Sequence, residues 1–259
     1  MNASAAPLFN PDPNPAPTSD PRQNQLLSAL LGAEWTNWQP HLECVELERG
    51  AVLCESGQVP THAYFPTTAV VSLMSLTRDG ASSEIAVVGN DGIVGISLLM
   101  GGNAMLCRAV VQSAGKAYRL RAQLVKHEAN NASPLLFLLL RYTQAIIAQV
   151  AQTAMCNRYH SIDQQLCRRL LAGLDRSPSD DLAMTQELLA SLLGVRREGI
   201  TAAALKLQDA GIIRYRRGHI SVLSRERLEA RTCECYNVAK NEHHRLFPTR
   251  AATPMAIAA

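Results

Sequence analysis

Two arginine pairs, Arg196-Arg197 and Arg216-Arg217, stand in one short stretch of the sequence, LGVRREGITAAALKLQDAGIIRYRRGHI at residues 193–220. A guanidinium group can bond two acceptors on the edge of guanine, or it can hold phosphate oxygens without regard to sequence. The residue types and their spacing therefore predict contacts with nucleic acid, some at base edges and others at phosphates.

A helix-turn-helix would position the first arginine pair. Thr185 is a favoured N-cap for a helix QELLASLL that starts at Gln186, Gly194 supplies a tight turn, and Gly211 ends the second helix, REGITAAALKLQDA. This arrangement turns the first residues of the second helix outward, where such helices meet base edges. The predicted shared apolar face consists of Leu189, Leu192, Val195, Ile200, Ala204 and Leu207.

A β wing is predicted directly after this helix pair, because IIRYRRGHISVL reads as two short strands around Arg217-Gly218. We expect Arg197, Glu198 and Thr201 to read bases, and the other arginines to hold phosphate. Ala202 and the wing residues Arg214 and His219 lie on the same predicted surface. The predicted DNA contacts are Arg196, Arg197, Glu198, Thr201, Gln186, Arg216 and Arg217. The alternative is a helix-turn-helix used for structure or protein contact, with the arginines as a solvated face.

The charge distribution agrees with a nucleic-acid-binding module at the carboxyl-terminal side. Residues 1–157 carry 9 basic and 11 acidic side chains, whereas residues 158–259 carry 16 basic and 11 acidic ones. Such an imbalance between halves is typical of a basic domain joined to a domain with another task.

Residues 44–122 consist of short apolar or alternating runs broken by glycine, which predicts strands and turns of a barrel or jelly roll. Asp79-Gly80 between two such runs predicts a hairpin with a type I′ turn. A short amphipathic helical stretch is predicted before them, over residues 25–38.

A long helix is predicted from the N-cap Ser133 to about Asn157, because Pro134 suits the first helical position and nothing interrupts the pattern after it. Residues spaced three and four apart on this helix form a seam that would pack against a second copy of the chain. The alternative is that the seam packs on the β domain. The predicted dimer seam is Leu139, Tyr142, Ile146, Gln149, Thr153 and Cys156.

Composition indicates a cytoplasmic protein of two domains with tails, since 259 residues with 47% hydrophobic and 18% charged side chains contain no apolar run near the length of a membrane span. Seven scattered cysteines do not resemble a secreted disulfide framework. The predicted division is a disordered leader at 1–24, a β-roll domain at 25–132, the dimerisation helix at 133–157, a winged helix-turn-helix at 158–238 and a flexible tail at 239–259.

Residues 40–236 resemble the Crp/Fnr family of bacterial transcription regulators. The resemblance rests on LERGAVLCESGQVPTHAYFPTTAVV, VVGNDGIVG, the long helix and LLASLLGVRREGITAAALKLQDAGII, while CECY at 233–236 looks like a mark of one branch of the family. It implies an α+β fold with an amino-terminal β-roll or jelly-roll sensor domain, a long dimerisation helix and a carboxyl-terminal winged helix-turn-helix. The implied partners are double-stranded DNA with a two-fold symmetric site, a second copy of the chain and RNA polymerase.

The sensor segment departs from the pattern of members that bind cyclic AMP, which have a glutamate for the ribose hydroxyls and an Arg-Ser pair for the phosphate. Here Ile93 stands at the glutamate position, and the best register puts Cys107 and Arg108 at the paired positions. A cyclic phosphate without its arginine is costly to bury. We therefore expect a degenerate pocket for an unidentified small-molecule effector. Its predicted residues are Gly92, Ile93, Val94, Gly95, Cys107, Arg108, Ile146 and Ile147.

No metal site or cofactor is predicted. An iron–sulfur cluster of the family's kind would need cysteines before the roll, and none precedes Cys44. For haem, the candidate axial ligands are only His62, His127 and Cys107. Cys233 and Cys235 have chelating spacing, but two ligands do not complete a zinc site and Cys167 is distant in sequence.

Four functional hypotheses follow from the sequence. The leading one is a sequence-specific DNA-binding regulator without enzymatic activity. Two alternatives are a regulator that responds to cyclic AMP or another nucleotide and a cupin-like β-roll enzyme. Such an enzyme would need His and acidic ligands clustered on the strands, and HAYF with the distant Glu84 does not form such a cluster. A protein-interaction adaptor would bind its partner without steep salt dependence.

Overall fold

The computed structural model describes residues 20–130, 134–177 and 179–247 of the chain. After a 3-10 turn at Pro21–Gln23 come two short helices, α1 (Gln25–Ala29) and α2 (Gly32–Trp38), where the sequence predicted one stretch. The extended backbone of Leu30 and Leu31 separates them.

Asn24 shows that ordered structure begins inside the predicted leader. Its side-chain oxygen caps α1, and its buried amide donates to the carbonyl oxygens of Pro66 and Gly92 at 2.9 and 2.8 Å. The leader prediction is therefore wrong for residues 20–24, and residues 1–19 lie outside the described residues.

Two antiparallel sheets form the predicted β roll, one in the order β1-β7-β3 and one in the order β2-β6-β4-β5. Apolar side chains from both sheets, including Leu47, Val71, Ala109 and Ala117, share one buried cluster. The strands are β1 (Glu43–Leu47), β2 (Val52–Cys54), β3 (His62–Pro66), β4 (Val70–Leu76), β5 (Ser82–Val88), β6 (Arg108–Ser113) and β7 (Gly115–Arg121).

The predicted β4–β5 hairpin is present, but its turn type was predicted wrongly. Gly80 has a φ of +89°, whereas Asp79 keeps a negative φ, so two consecutive left-handed residues are missing. The loop closes instead from Thr77, whose N–H donates to the carbonyl of Ala81 at 2.9 Å. The Thr77 hydroxyl also bonds the Asp79 carboxylate, which holds that residue in place.

Helix α3 (Ala122–Asn130) leads to the long helix α4 (Pro134–Tyr159), which runs two residues beyond its predicted end. Ser133, the predicted N-cap, lies outside the described residues. By length and composition α4 alone among the described helices is apolar enough to cross a membrane.

The predicted dimer seam on α4 is wrong, because most of its residues pack inside the chain. Leu139, Tyr142 and Thr153 are buried, and Gln149 accepts a hydrogen bond from the N–H of Val87 at 2.9 Å. Ile146 contacts the cores of the roll, and Cys156 is buried beside Cys233. The large apolar side chains that α4 leaves exposed are Phe137, Leu140, Ile147, Met155 and Tyr159.

The carboxyl-terminal domain is built around one core that contains Leu189, Ile200, Ala204 and Leu207, with Val195 packed against it. Leu192 is buried too, but it lines a cavity beside β4 and β6. The elements are α5 (Ile162–Leu174), β8 (Asp181–Ala183), α6 (Gln186–Leu193), α7 (Arg197–Asp209), β9 (Ile213–Arg216), β10 (His219–Val222), α8 (Arg225–Glu229) and α9 (Glu234–Leu246).

Helix α9 corrects the predicted flexible tail, because residues 239–246 form its second half. It packs along α4, where Gln144 Nε2 donates to Glu242 Oε1 at 2.9 Å and the rings of Tyr142 and Phe247 lie 6.5 Å apart. The rest of that prediction, residues 248–259, lies outside the described residues.

Two ion pairs connect the roll to α5 and the residues just after it, and the pair of Arg169 with Glu84 is the buried one. Arg169 on α5 bonds Glu84 on β5, and Arg176 bonds Asp91, with shortest N–O distances of 2.6 Å in both pairs. These contacts fix where the helix-turn-helix sits relative to the β4–β5 hairpin.

Candidate nucleic-acid interface

Local signals position the helix pair as the sequence predicts. Thr185 Oγ1 accepts the N–H of Leu188 at 3.0 Å as the N-cap of α6, and Gly194 ends that helix with a φ of +65°. Arg196 is the N-cap residue of α7, without a side-chain capping bond. The first turn of α7 therefore starts at an exposed basic residue, and a helix N-terminus is suited to an anion.

The wing turns at Arg217-Gly218, with φ values of +46° and +84°, which is the pair of left-handed residues a type I′ turn requires. Strand β8 adds a third strand, in the order β8-β10-β9. Across this sheet His219 Nδ1 and Asp181 Oδ2 are hydrogen-bonded at 2.8 Å, which lowers the pKa of the Asp181 carboxyl.

The first residues of α6 hold the recognition helix and the wing together. Gln186 accepts the Thr201 hydroxyl proton at 2.8 Å, and its own N–H donates to Tyr215 Oη at 3.3 Å. A Cβ on Gly218 would lie 3.2 Å from Thr185 Cγ2, so the wing turn touches the N-cap of α6. Sequence reasoning missed Tyr215, whose only signal is its place between two wing arginines.

The charged residues predicted to contact DNA are all exposed and lie on α7 or the wing. Arg197 has 64% of its side-chain surface exposed, and its Nε lies 4.0 Å from Glu187 Oε2. Thr201 and Gln186 are half-buried because they bond each other. The exposed members of the set are Arg196, Arg197, Glu198, Arg216 and Arg217, together with Ala202, Arg214 and His219.

The residues predicted to form an effector pocket are not brought to one cavity. Ile93 is buried among α1 and α4 residues, whereas Val94 and Cys107 belong to the core between the sheets. Burial raises the pKa of the Cys107 thiol to about 11. Ile147 is 59% exposed on α4.

The remaining members of that set also lie apart. Arg108 pairs with Glu55 at 3.1 Å and lines a cavity of about 380 Å³ between the roll and α6. Ile146 lines a larger cavity of about 720 Å³ among α1, α4, α5 and α9. Gly92 packs under Tyr142, whose hydroxyl would lie 2.0 Å from an added Cβ, and Gly95 has a φ of +107°.

The fold supplies two metal-ligating side chains that sequence spacing did not suggest. Cys156 and His160, at the end of α4, lie beside Cys233 and Cys235 at the start of α9, with all four ligand atoms within 4.8 Å of one another. The expectation that Cys233 and Cys235 have no further ligands nearby is therefore wrong. Both cysteines lie at the beginning of the last helix, α9.

Comparison with known proteins matches both halves of this architecture. A family model for a cyclic nucleotide-binding domain matches residues 44–130, and one for a Crp-like helix-turn-helix domain matches residues 164–231. No curated protein shows significant sequence similarity to the chain.

Solved structures share the fold at low sequence identity. A regulator of the Crp/Fnr family from Eubacterium rectale is 18% identical, with a TM-score of 0.62 over 79% of this chain and 96% of its own. FixK2 from Bradyrhizobium japonicum is 16% identical, with a TM-score of 0.62 over 74% and 98%. TTHA1359 from Thermus thermophilus is 20% identical, with a TM-score of 0.58 over 76% and 98%.

The two matched domains lie on either side of the long helix α4. The chain therefore belongs to the Crp/Fnr family and is a transcription regulator with that family's DNA-binding fold.

Proposed function

We propose that the chain acts as a cytoplasmic homodimer that reads a two-fold symmetric operator in double-stranded DNA and has no enzymatic activity. The observation that carries the proposal is the exposed first turn of α7, which stands beside an exposed arginine wing. Both are held by the first residues of α6, so they present one continuous basic surface.

The proposed DNA contacts fall into two groups, contacts to bases and contacts to phosphates, according to their position on that surface. Arg197 and Glu198 start α7, the part of a recognition helix that reaches base edges in the major groove. Arg196 and the wing residues Arg216 and Arg217 suit phosphates, which fix the register without reading sequence. Thr201 donates its hydroxyl proton to Gln186, so its methyl group and the Gln186 amide nitrogen are what this pair offers to a base.

Self-association is assigned to the exposed apolar face of α4, in place of the seam predicted from sequence. Phe137 and Leu140 at one end, with Ile147 and Met155 further on, are each about half exposed or more. Pairing two such faces would bury apolar surface that the single chain leaves in water. It would also set the distance between two recognition helices, as half-site spacing requires. RNA polymerase is proposed as a further partner.

The sensor domain is proposed to respond to a ligand other than cyclic AMP. Ile93 and Val94 are buried in apolar cores, and Arg108 is already paired with Glu55. An unidentified small-molecule effector would act by favouring one arrangement of α4 and the winged helices over another. Mass and absorbance analysis of what co-purifies with the chain tests this part of the proposal.

The alternative hypothesis of a cupin-like enzyme gains no support from the site geometry. It requires His and acidic ligands gathered on the strands of the roll. His62 lies on β3 in one sheet and Glu84 on β5 in the other, where Arg169 neutralises it.

Retardation of DNA from the gene's own promoter region tests the regulator proposal. Arg197→Ala should weaken operator binding about 10-fold to 100-fold, as expected for one lost bidentate base contact. Lys206→Ala is the matched control, because it removes the same charge from the same helix near its far end, where Lys206 pairs with Asp163. Equal losses in the two variants, or no sequence preference in the native protein, would contradict the proposal.

A further inference from the structure

Three thiols and one imidazole meet where α4 ends and α9 begins, away from the DNA-binding surface. Cys156 Sγ lies 3.5 Å from Cys233 Sγ, and Cys235 Sγ lies 3.5 Å from His160 Nδ1. The three cysteines are almost fully buried, and His160 is partly so. Among the described residues this group has the composition and closeness of a metal centre.

Two short sequence spacings produce this juxtaposition. Cys156 lies in the last turn of α4, and His160 directly follows that helix, where its N–H still donates to the Cys156 carbonyl at 3.1 Å. The two side chains therefore lie on the same side of the chain. Cys233 is the N-cap residue of α9 and Cys235 lies in its first turn. Because α9 packs along α4, the two pairs face each other.

We propose that Cys156, His160, Cys233 and Cys235 bind one zinc ion as a closed structural site. Tetrahedral zinc with Zn–S bonds of about 2.3 Å places its ligand atoms about 3.8 Å apart. The two distances of 3.5 Å fit that geometry with small adjustments. Three thiolates and one imidazole form a soft ligand set that suits zinc, and four protein ligands fill its coordination sphere.

The surroundings of His160 support the assignment. Its Nδ1 faces the thiols, while its Nε2 lies 3.3 Å from Glu234 Oε1. A carboxylate on the second ring nitrogen fixes the tautomer that leaves Nδ1 free to bind metal. Gln165 Nε2 donates to the carbonyl of His160 at 2.9 Å, which holds the turn between α4 and α5.

Zinc at this position would join two separate parts of the chain. The ligands come from the last turn of α4, the residue that follows it and the start of α9. The site would therefore fasten the helix-turn-helix domain to the long helix. It differs in purpose from an effector pocket, because all four positions are filled by the protein.

The experiment measures metal content and geometry on the full-length protein, purified without chelators from cells grown with zinc. Elemental analysis should give one zinc per chain. Cobalt added to metal-stripped protein should give the ligand-field absorption of tetrahedral thiolate-bound Co²⁺. Cys235→Ser should lose zinc, whereas His160→Cys should keep it with four thiolates. Cys54→Ser is the matched control, because it removes a buried cysteine of the roll and should leave the zinc content unchanged.

Three results would overturn the proposal, and none needs an unstable variant. The first is native protein without zinc that also gives no tetrahedral cobalt spectrum. The second is iron or copper in stoichiometric amount in place of zinc. The third is a Cys156–Cys233 disulfide in protein prepared under reducing conditions, which would make the cluster a redox pair. A single zinc released only after the thiols are alkylated or oxidised is the supporting result.

Discussion

Arg169 and Glu84 form an ion pair with almost no access to water, Nε to Oε1 at 2.6 Å, between the winged domain and the β roll. Burial lowers the pKa of Arg169, and the charge and hydrogen bond of Glu84 counteract that effect. Gln112 and Ser72 complete the network around the pair. The two domains are therefore held together by charges that cannot separate without exposure to solvent.

Removing one partner of the Arg169–Glu84 ion pair should strongly destabilise the folded protein. Glu84→Gln leaves Arg169 buried without a counter-charge, and we expect it to reduce the free energy of unfolding by about 3–5 kcal/mol. Glu55→Gln breaks a solvent-exposed pair with Arg108 and should cost about 0–1 kcal/mol. Urea unfolding followed by circular dichroism compares the two. Equal costs would show that water reaches the interdomain pair.

The wing should contribute affinity without specificity. Arg216→Ala is expected to weaken binding to the operator and to unrelated DNA by the same factor. It should reduce the slope of log affinity against log salt by about 0.9, the value for one phosphate contact. Arg49→Ala removes an exposed positive charge from the roll and should leave the slope unchanged. A loss confined to operator DNA would place Arg216 at a base instead.

The exposed face of α4 should control self-association. Leu140→Glu introduces a charge into the proposed seam, so sedimentation should show a shift from dimer to monomer, with weaker binding to the two-fold site. Val59→Glu alters a similarly exposed apolar residue of the roll, 57% against 48% exposed, and should remain dimeric. Dimers of Leu140→Glu with native affinity would exclude this face as the interface.

Tyr142 leaves no room for a side chain at position 92. An added Cβ on Gly92 would lie 2.0 Å from Tyr142 Oη, so Gly92→Ala should destabilise the chain by about 1–3 kcal/mol through overpacking. Gly102 has nothing within 4 Å of its would-be Cβ and no left-handed φ, so Gly102→Ala should be close to neutral. Thermal unfolding distinguishes the two outcomes, and similar effects would contradict the packing.

The wing should weaken at acidic pH through Asp181. Its pKa lies below the ordinary value of 3.8, chiefly because of the hydrogen bond with His219. The contribution of this carboxylate to stability is therefore present above that value and is lost as pH falls through the native pKa. Carboxyl NMR titration should detect the lowered pKa, and His219→Gln should raise it. An unchanged pKa in the variant would assign the shift to Ser221.

Local signals in the sequence were sufficient for the helix-turn-helix and its wing. Thr185 and Gly194 specify helix ends within a few residues of chain, and Arg217-Gly218 specifies a turn that forms as predicted. Each depends on backbone geometry that neighbouring residues determine. The same reasoning assigned the wrong turn to Asp79-Gly80, where the Thr77 side chain favours a wider loop.

Contacts between distant residues were not accessible from sequence. The amino-terminal half of α4 is apolar on every side from Leu135 to Leu140, so its spacing cannot tell which face the roll covers. Cys156 and Cys233 are 77 residues apart, and Arg169 and Glu84 are 85 apart. Only tertiary packing joins such pairs, and neither leaves a periodic pattern.

Helix α9 runs back along α4 after the chain has left the winged domain. That domain is consequently attached to the long helix at both of its ends, through the turn before α5 and through α9. A domain with two attachment points on one rod can rotate about the line between them but cannot translate away from it. Any regulatory motion that keeps α9 packed on α4 is then a rotation of the winged domain about that line, described by one angle. Measuring a single distance between the winged domain and the β roll in each protomer is enough to follow it.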